Sequence, residues 1–330
     1  MRHMQGTDST DEVKLDPRHF REKIELLLSD LEGTVAGSGR VVRFILIALL
    51  SGNHILLEGV PGLAKTKLAN EFSRRMGLSF RRIQFTPDLL PSDVMGAHIL
   101  NSETRKLEFR PGPVFTNVLL ADEINRTPPK VQSALLEAME ERHVTSSGEI
   151  FSLPFPFVVI ATQNPIEYEG TFPLAEALLD RFLFRYRMEY PTKEDELRAL
   201  DISTSSERAV QRFSSEEIVA AMKMTGDVRV EEDVKAYIVN LIRKTRETEE
   251  IYLGASPRTS VKLLSAARAC ALINGRMYVI PDDIRYVAHE LFNHRLILKQ
   301  EFQFQDGYDP GKMIAAIVDR IIADVPPPGV

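Results

Sequence analysis

Apolar positions along this chain follow two kinds of pattern, and the change between them falls near residue 191. Ile24, Leu27, Leu28 and Leu31 recur at the three- and four-residue spacing of an amphipathic helix over Phe20 to Leu31. After Gly37-Ser38-Gly39, the run from Val41 to Leu50 reads as a buried helix that Ser51-Gly52 ends. Short strand-like segments follow: Ile55-Leu56-Leu57, Phe80 to Thr86, Val118 to Ala121 and Phe157 to Ala161. A further strand takes over from a helix end between Leu178 and Arg185. Helical segments alternate with them. One covers Lys65 to Met76, and another opens at Thr127-Pro128 with Thr127 as N-cap and carries Val131, Leu135 and Met139 on one stripe. Strand–helix alternation of this kind predicts an α/β fold, a parallel five-stranded sheet flanked by helices.

From Thr192 onward no apolar strand is evident, and residues 193–201, 214–225, 231–248, 257–274 and 281–298 all read as helices. The expected organisation is a disordered polar segment over 1–15, an α/β domain over 16–191 and a small all-helical domain over 192–330. A chain of 330 residues makes two domains the natural expectation.

Composition narrows this only a little. Hydrophobic residues are 44% and charged residues 27%, ordinary for a globular protein. The single cysteine, Cys270, permits no internal disulfide, and its apolar helical surroundings predict a buried thiol. The run from Val41 to Leu50 is too short to span a bilayer, and Arg43 interrupts it. No basic stretch followed by an apolar core opens the chain, so a reducing, cytoplasmic setting is expected. The net charge of −6 argues against a dedicated nucleic-acid binder.

The candidate chemistry begins with Gly59-Val60-Pro61-Gly62-Leu63-Ala64-Lys65-Thr66, which follows a strand and opens a helix. In that context the loop N–H groups and the helix N-terminus face phosphate, as in a P-loop. Lys65 is then placed for the β- and γ-phosphates, the Thr66 hydroxyl for Mg²⁺, and Lys67 continues the helix. Ala64 departs from the usual glycine before the lysine. Alanine is acceptable there if the position has already entered the helix. Asp122-Glu123 ends an apolar strand 57 residues after Lys65, at the edge of a parallel sheet where ligands bind. Asp122 is expected to hold Mg²⁺ through water, and Glu123 to polarise the attacking water. Asn164 follows the next strand, where an amide can orient water against a γ-phosphate. Arg181, in Leu178-Leu179-Asp180-Arg181-Phe182, can either pair with a neighbouring carboxylate or act as an arginine finger. Arg258 lies in the first turn of a helix opened by Ser256 and Pro257 and can be exposed or contact phosphate.

In this order the motifs resemble those of AAA+ ATPases, and several strings are similar to the MoxR family in particular. These are the Gly59–Thr66 loop with its alanine, Ala121-Asp122-Glu123-Ile124-Asn125-Arg126, and Gln132-Ser133-Ala134-Leu135-Leu136-Glu137-Ala138-Met139. Ala161-Thr162-Gln163-Asn164-Pro165-Ile166-Glu167 and Phe172-Pro173-Leu174-Ala175-Glu176-Ala177 complete the set. The resemblance implies ATP and Mg²⁺ as ligands, ATP hydrolysis, an AAA+ core followed by a helical lid, and a homo-oligomer, a hexameric ring. It implies Asn164 as sensor 1, Arg258 as sensor 2 and Arg181 as the finger, with Arg126 a second candidate for signalling between subunits. It also implies an adenine contact near Val35 to Ser38. Two extra hairpins are implied, within Ala97 to Phe109 and His143 to Leu153, and their relatives face a pore or a partner. Protein clients with von Willebrand factor A domains are the implied partners. A metal-chelatase ATPase subunit shares this core and is expected to come with an integrin-like subunit, either integral or separate, the integral form not being expected here. A nucleic-acid motor fits the charge poorly, and no Asn-Lys-x-Asp string suggests GTP.

Overall fold

The computed structural model describes residues 15–165, 170–202, 210–302 and 309–329. The polar start over residues 1–14 and the family residues Ile166 and Glu167 lie outside the described residues.

The chain opens with helices α1 (Pro17–Glu32) and α2 (Gly39–Leu50), then strand β1 (His54–Glu58) and helix α3 (Lys65–Arg75). Strand β2 (Phe80–Gln84), the short α4 (Pro91–Met95) and a hairpin of β3 (Gly96–Leu100) and β4 (Leu107–Pro111) follow. Next come β5 (Val118–Asp122), α5 (Pro129–Glu141) and a second hairpin, β6 (His143–Ser146) with β7 (Glu149–Ser152). Strand β8 (Val158–Gln163), α6 (Glu176–Arg181) and β9 (Phe182–Arg187) complete the α/β part. Helices α7 (Lys193–Ile202), α8 (Ser215–Asp227) and α9 (Glu232–Glu247) precede β10 (Ile251–Leu253) and α10 (Pro257–Ile273). Helix α11 (Pro281–Phe292), β11 (Ile297–Leu298) and α12 (Pro310–Asp324) end the chain.

The central sheet has five strands in the order β2-β5-β8-β1-β9, all paired in parallel. Its central strands β5, β8 and β1 are buried on both faces because helices cover both, and side chains alternate between them. Ile55, Leu57, Val118, Leu120, Val158 and Ile160 enter one core, shared with α1, α2 and the C-terminal helices. Leu56, Leu119, Ala121, Val159 and Ala161 enter the other, under α5 and the hairpins. The first core runs on past residue 191 through Leu241, Leu263 and Leu291, so apolar packing joins the helical part to the sheet.

Three local expectations need correction. Thr127 does not cap α5: Pro128 takes the cap position, extended at φ −59° and ψ 153°, and Pro129 is the first helical residue. A residue before proline is driven out of the helical region by the next ring, which moves the start one place along. The helix expected over 281–298 stops at Phe292, and the region is not purely helical, because β11 pairs antiparallel with β10. The chain turns there because side chains just past the helix are pinned to β9. Asn293 Nδ2 donates to the Arg185 carbonyl at 2.6 Å and Arg295 Nη2 to that of Phe182 at 2.6 Å. Helix α12 was not foreseen, although Ile314, Ile317, Val318 and Ile321 bury one stripe and Asp309 caps its N-terminus. Among the described residues no helix is long and apolar enough to cross a membrane.

Candidate nucleotide site

β1 runs straight into the glycine loop. Gly59 N–H donates to the Gln163 carbonyl at 3.2 Å, which fastens the loop to the end of β8 and sets Asn164, almost fully buried, beside it. A Cβ on Gly59 would lie 2.9 Å from Leu63 Cδ1 and 3.1 Å from Met188 Cβ, so a larger residue would have to push both side chains aside. Gly62 has φ +91° and faces open space. Ala64 has not entered the helix, contrary to the condition set for it from the sequence. It is the N-cap of α3, left-handed at φ 53° and ψ 23°. That conformation costs a non-glycine residue about 1–2 kcal/mol, a strain located at the loop itself. Its methyl group cannot cap the helix, and no side-chain cap is formed. The first N–H groups of α3 therefore point out at the positive end of the helix dipole.

Lys65 Nζ donates to the Gly59 carbonyl at 2.6 Å, which holds the ammonium inside the loop. Burial lowers its pKa, while the Asp122 and Glu123 carboxylates push it back up. Those two acids stand at the end of β5, one strand removed. Thr162 of β8 ties them together: its hydroxyl donates to Asp122 Oδ1 at 2.5 Å and accepts from the Glu123 N–H at 2.9 Å. Glu123 is left-handed at φ 58°, a strained turn that carries its carboxylate off the strand. Gln84 Nε2 donates to Glu123 Oε2 at 2.6 Å, and Arg126 Nη1 lies 3.3 Å from the same oxygen. On the other acid, Arg82 donates from Nη2 and Nε to Asp122 Oδ2 at 2.7 and 3.0 Å.

Thr162, Gln84 and Arg82 were missed from the sequence. The available signal was an edge strand whose alternate residues, Arg82 and Gln84, are polar and share one face beside the Asp-Glu strand.

These residues suit a magnesium–nucleoside triphosphate. Uncapped helix N–H groups and Lys65 match phosphate oxygens, while the Thr66 hydroxyl and Asp122 are hard oxygen ligands. Among the described residues no three His, Cys, Asp or Glu side chains form a protein-only cage. A cation here would then share its shell with phosphate, as Mg²⁺ commonly does. Lys67 is exposed on α3, and Val35 is half-buried on the turn between α1 and α2.

One expected site residue lies elsewhere. Phe182 pairs with His54 at the amino end of β1, whereas the glycine loop begins one residue beyond the carboxyl end at Glu58. At about 3.3 Å per strand residue, Arg181 is on the order of 15 Å from its own phosphate loop. It pairs there with Glu140 of α5. The preceding Asp180 is met from the helical part by Lys262 of α10, Nζ to Oδ1 3.5 Å. Lys262 is one turn past Arg258, so the start of α10 lies along this same amino edge, with Arg258 exposed. Arg126, by contrast, sits within its own site beside Glu123.

The remaining family string serves assembly of the frame. Gln132 Nε2 donates to the Thr127 carbonyl at 3.1 Å, and its Oε1 accepts from Ala175 N–H at 3.3 Å, binding α5 to the turn before α6.

A P-loop sheet carrying Asp-Glu at the end of β5, one strand removed from the loop's own, and followed by a helical cap, defines an ATPase of the AAA+ class. The model for the "ATPase family associated with various cellular activities (AAA)" matches residues 54–184, and that for the AAA lid domain matches residues 243–320. The uncharacterised protein YeaC of Bacillus subtilis (strain 168) is 47% identical over 89% of this chain and 91% of its own length. Chaperone MoxR1 of Mycobacterium tuberculosis is 40% identical over 90% of this chain and 81% of its own. A crystal structure from Cytophaga hutchinsonii, of a protein assigned as an ATPase, superposes with a TM-score of 0.84 at 40% identity. It covers 92% of this chain and 95% of the other. The chain belongs to the MoxR family of AAA+ ATPases.

Proposed function

We propose that the protein binds and hydrolyses ATP with Mg²⁺ as a homo-oligomeric ring, a hexamer, and uses the cycle to remodel or mature partner proteins in the cytoplasm. The observation that carries this is the division of the machinery between two edges of one sheet. The phosphate loop, Asp122, Glu123 and Asn164 occupy the carboxyl edge, and Arg181 the amino edge. An arginine so placed serves a neighbour's nucleotide, not its own.

In this reading Gly59, Val60, Pro61, Gly62, Leu63 and Ala64 wrap the phosphates, and Lys65 neutralises charge that develops on the transferring group. Thr66 and Asp122 hold Mg²⁺, which supplies further charge neutralisation. Glu123 accepts a proton from the attacking water, and Asn164 orients that water. Gln84 holds the Glu123 carboxylate aside in the geometry described above, so its release is part of activation. Arg181 and Arg258 reach the adjacent subunit from the amino edge. Val35 and Lys67 flank the nucleotide. Residues 16–191 form the AAA+ core and 192–330 the lid.

Arg82 offers a check on the Asp122 assignment. Its guanidinium occupies the oxygen a cation would need, but its side chain is 46% exposed, so the pair is worth about 1 kcal/mol at most. Arg82→Gln is expected to lower the Mg²⁺ concentration for half-maximal ATP binding by up to about fivefold. Titration of Mg²⁺ against a fluorescent ATP analogue reads this directly, and an unchanged or raised midpoint counts against Asp122 as the metal ligand.

The partner role rests on the family and on a relative named as a chaperone. The resemblance points to proteins with von Willebrand factor A domains. The two hairpins supply a surface for them, joined by a Phe109–Phe151 stack at 3.9 Å and by His98 Nδ1 with the Ser146 hydroxyl at 3.2 Å. A Glu123→Gln chain, loaded with ATP, is expected to co-purify such a protein from cell extract. Recovery without any partner argues for an ATPase with another task.

A further inference from the structure

Two arginines that serve a neighbour must hold a fixed spacing, yet Arg181 belongs to the sheet part and Arg258 to the lid. We propose that Lys262 is a positioning residue that ties the first turns of α10 to Asp180, so that Arg181 and Arg258 meet the adjacent subunit as one unit. This rests on the reading of Arg181 as acting across a subunit interface.

The joint has a rigid half and an adjustable half. Arg295, just past α11, is the rigid one. Its Nη1 donates to the carbonyls of Leu291 at 2.5 Å and Leu183 at 3.0 Å. Its Nη2 donates to the carbonyls of Phe182 at 2.6 Å and Asp180 at 3.3 Å, and its Nε to Asp180 Oδ1 at 3.3 Å. With every nitrogen engaged, this guanidinium locks the end of α11 to the junction of α6 and β9. Lys262 meets the same Asp180 Oδ1 at 3.5 Å, long for a hydrogen bond, at the end of a flexible four-carbon stem. Arg258 and Lys262 are four residues apart on α10, hence on one face. Asp180 and Arg181 are adjacent in α6. A shift of α10 by an ångström or two is therefore felt at both ends of this bridge.

The charges around Lys262 make the joint readable by pH. Arg295, Asp180 and Arg181 face it, Glu140 balances Arg181, and the rings of His54 and His294 stand close enough to feel it. Burial, then the Arg295 charge, lowers the Lys262 pKa to about 8, with Asp180 opposing. The ammonium, and with it the grip on Asp180, is lost as pH rises through about 8. Burial lowers His54 to about 4 and His294 well below the usual histidine value, leaving both neutral, and Arg295, lowered to about 10, stays charged.

The test compares kcat at saturating ATP from pH 6.5 to about 9 for the natural chain, Lys262→Arg and Lys262→Met, with oligomer mass and ATP affinity measured alongside. The natural chain should lose kcat as pH rises through about 8. Lys262→Arg should stay active without that fall, because arginine keeps its proton throughout. Lys262→Met should lose at least about tenfold in kcat at pH 7 with ATP affinity and oligomer mass unchanged. Full activity in Lys262→Met, or an alkaline fall that persists in Lys262→Arg, overturns the proposal. If Lys262→Met does not assemble, the pH profile of Lys262→Arg decides alone. Arg181→Ala run in parallel separates the two claims. A fully active Arg181→Ala removes the reading beneath the proposal, whereas an inactive one beside an active Lys262→Met removes the proposal only.

Discussion

Glu123→Gln is expected to cut ATP turnover by at least about a hundredfold while leaving ATP binding within about threefold. The carboxylate stands at the end of β5 on a left-handed residue, with its N–H held by the Thr162 hydroxyl. Glutamine keeps that size and the backbone anchor but cannot take a proton from water. The loss should appear in kcat and not in the dissociation constant, because no phosphate-binding group changes. Phosphate release and a nucleotide titration on one preparation measure the two halves. Wild-type turnover in the variant would show that the proton goes elsewhere.

Arg181→Ala is the second large effect, with an expected loss of about a thousandfold or more in turnover per assembled ring. Structural damage cannot imitate that. The Arg181–Glu140 pair is partly exposed, 26% and 43% for the two side chains, so breaking it costs about 1 kcal/mol or less. A thousandfold change in rate corresponds to about 4 kcal/mol. The difference has to come from a missing positive charge at the reacting phosphate. The natural chain should also lose specific activity on dilution below its assembly concentration, whereas an arginine acting within one chain predicts none.

Much of this was legible from residues alone. Spacing of apolar positions located the central strands of the sheet, since a strand buried on both faces is a short unbroken apolar run. Val118 to Ala121 and Phe157 to Ala161 are of that kind, and both lie in the sheet. The two hairpins also form where the resemblance placed them, at residues 96–111 and 143–152. Local chemistry misled where tertiary contacts decide. Nothing near Leu298 marks a strand, because β11 exists through its partner β10 and through Asn293 and Arg295 reaching back to β9. Ala64 looked tolerable only inside the helix, yet the loop imposes φ 53° on it. Arg82, Gln84 and Thr162 carry no motif, and they matter through neighbours some 40 residues away in sequence. The approach of Lys262 to Asp180 was likewise invisible, since it depends on how α10 docks.

The division of one catalytic centre between two chains is the central claim, and one mixing experiment tests it most directly. Lys65→Ala lacks a working phosphate loop but keeps Arg181, and Arg181→Ala has the reverse defect. Each alone should be nearly inactive. Mixed in equal amounts and allowed to exchange subunits, they form interfaces in which an intact loop faces an intact arginine, and ATP hydrolysis should reappear at a sizeable fraction of the natural rate. Hydrolysis that stays at the level of the separate variants, in mixtures shown by mass to contain both chains, would contradict the account.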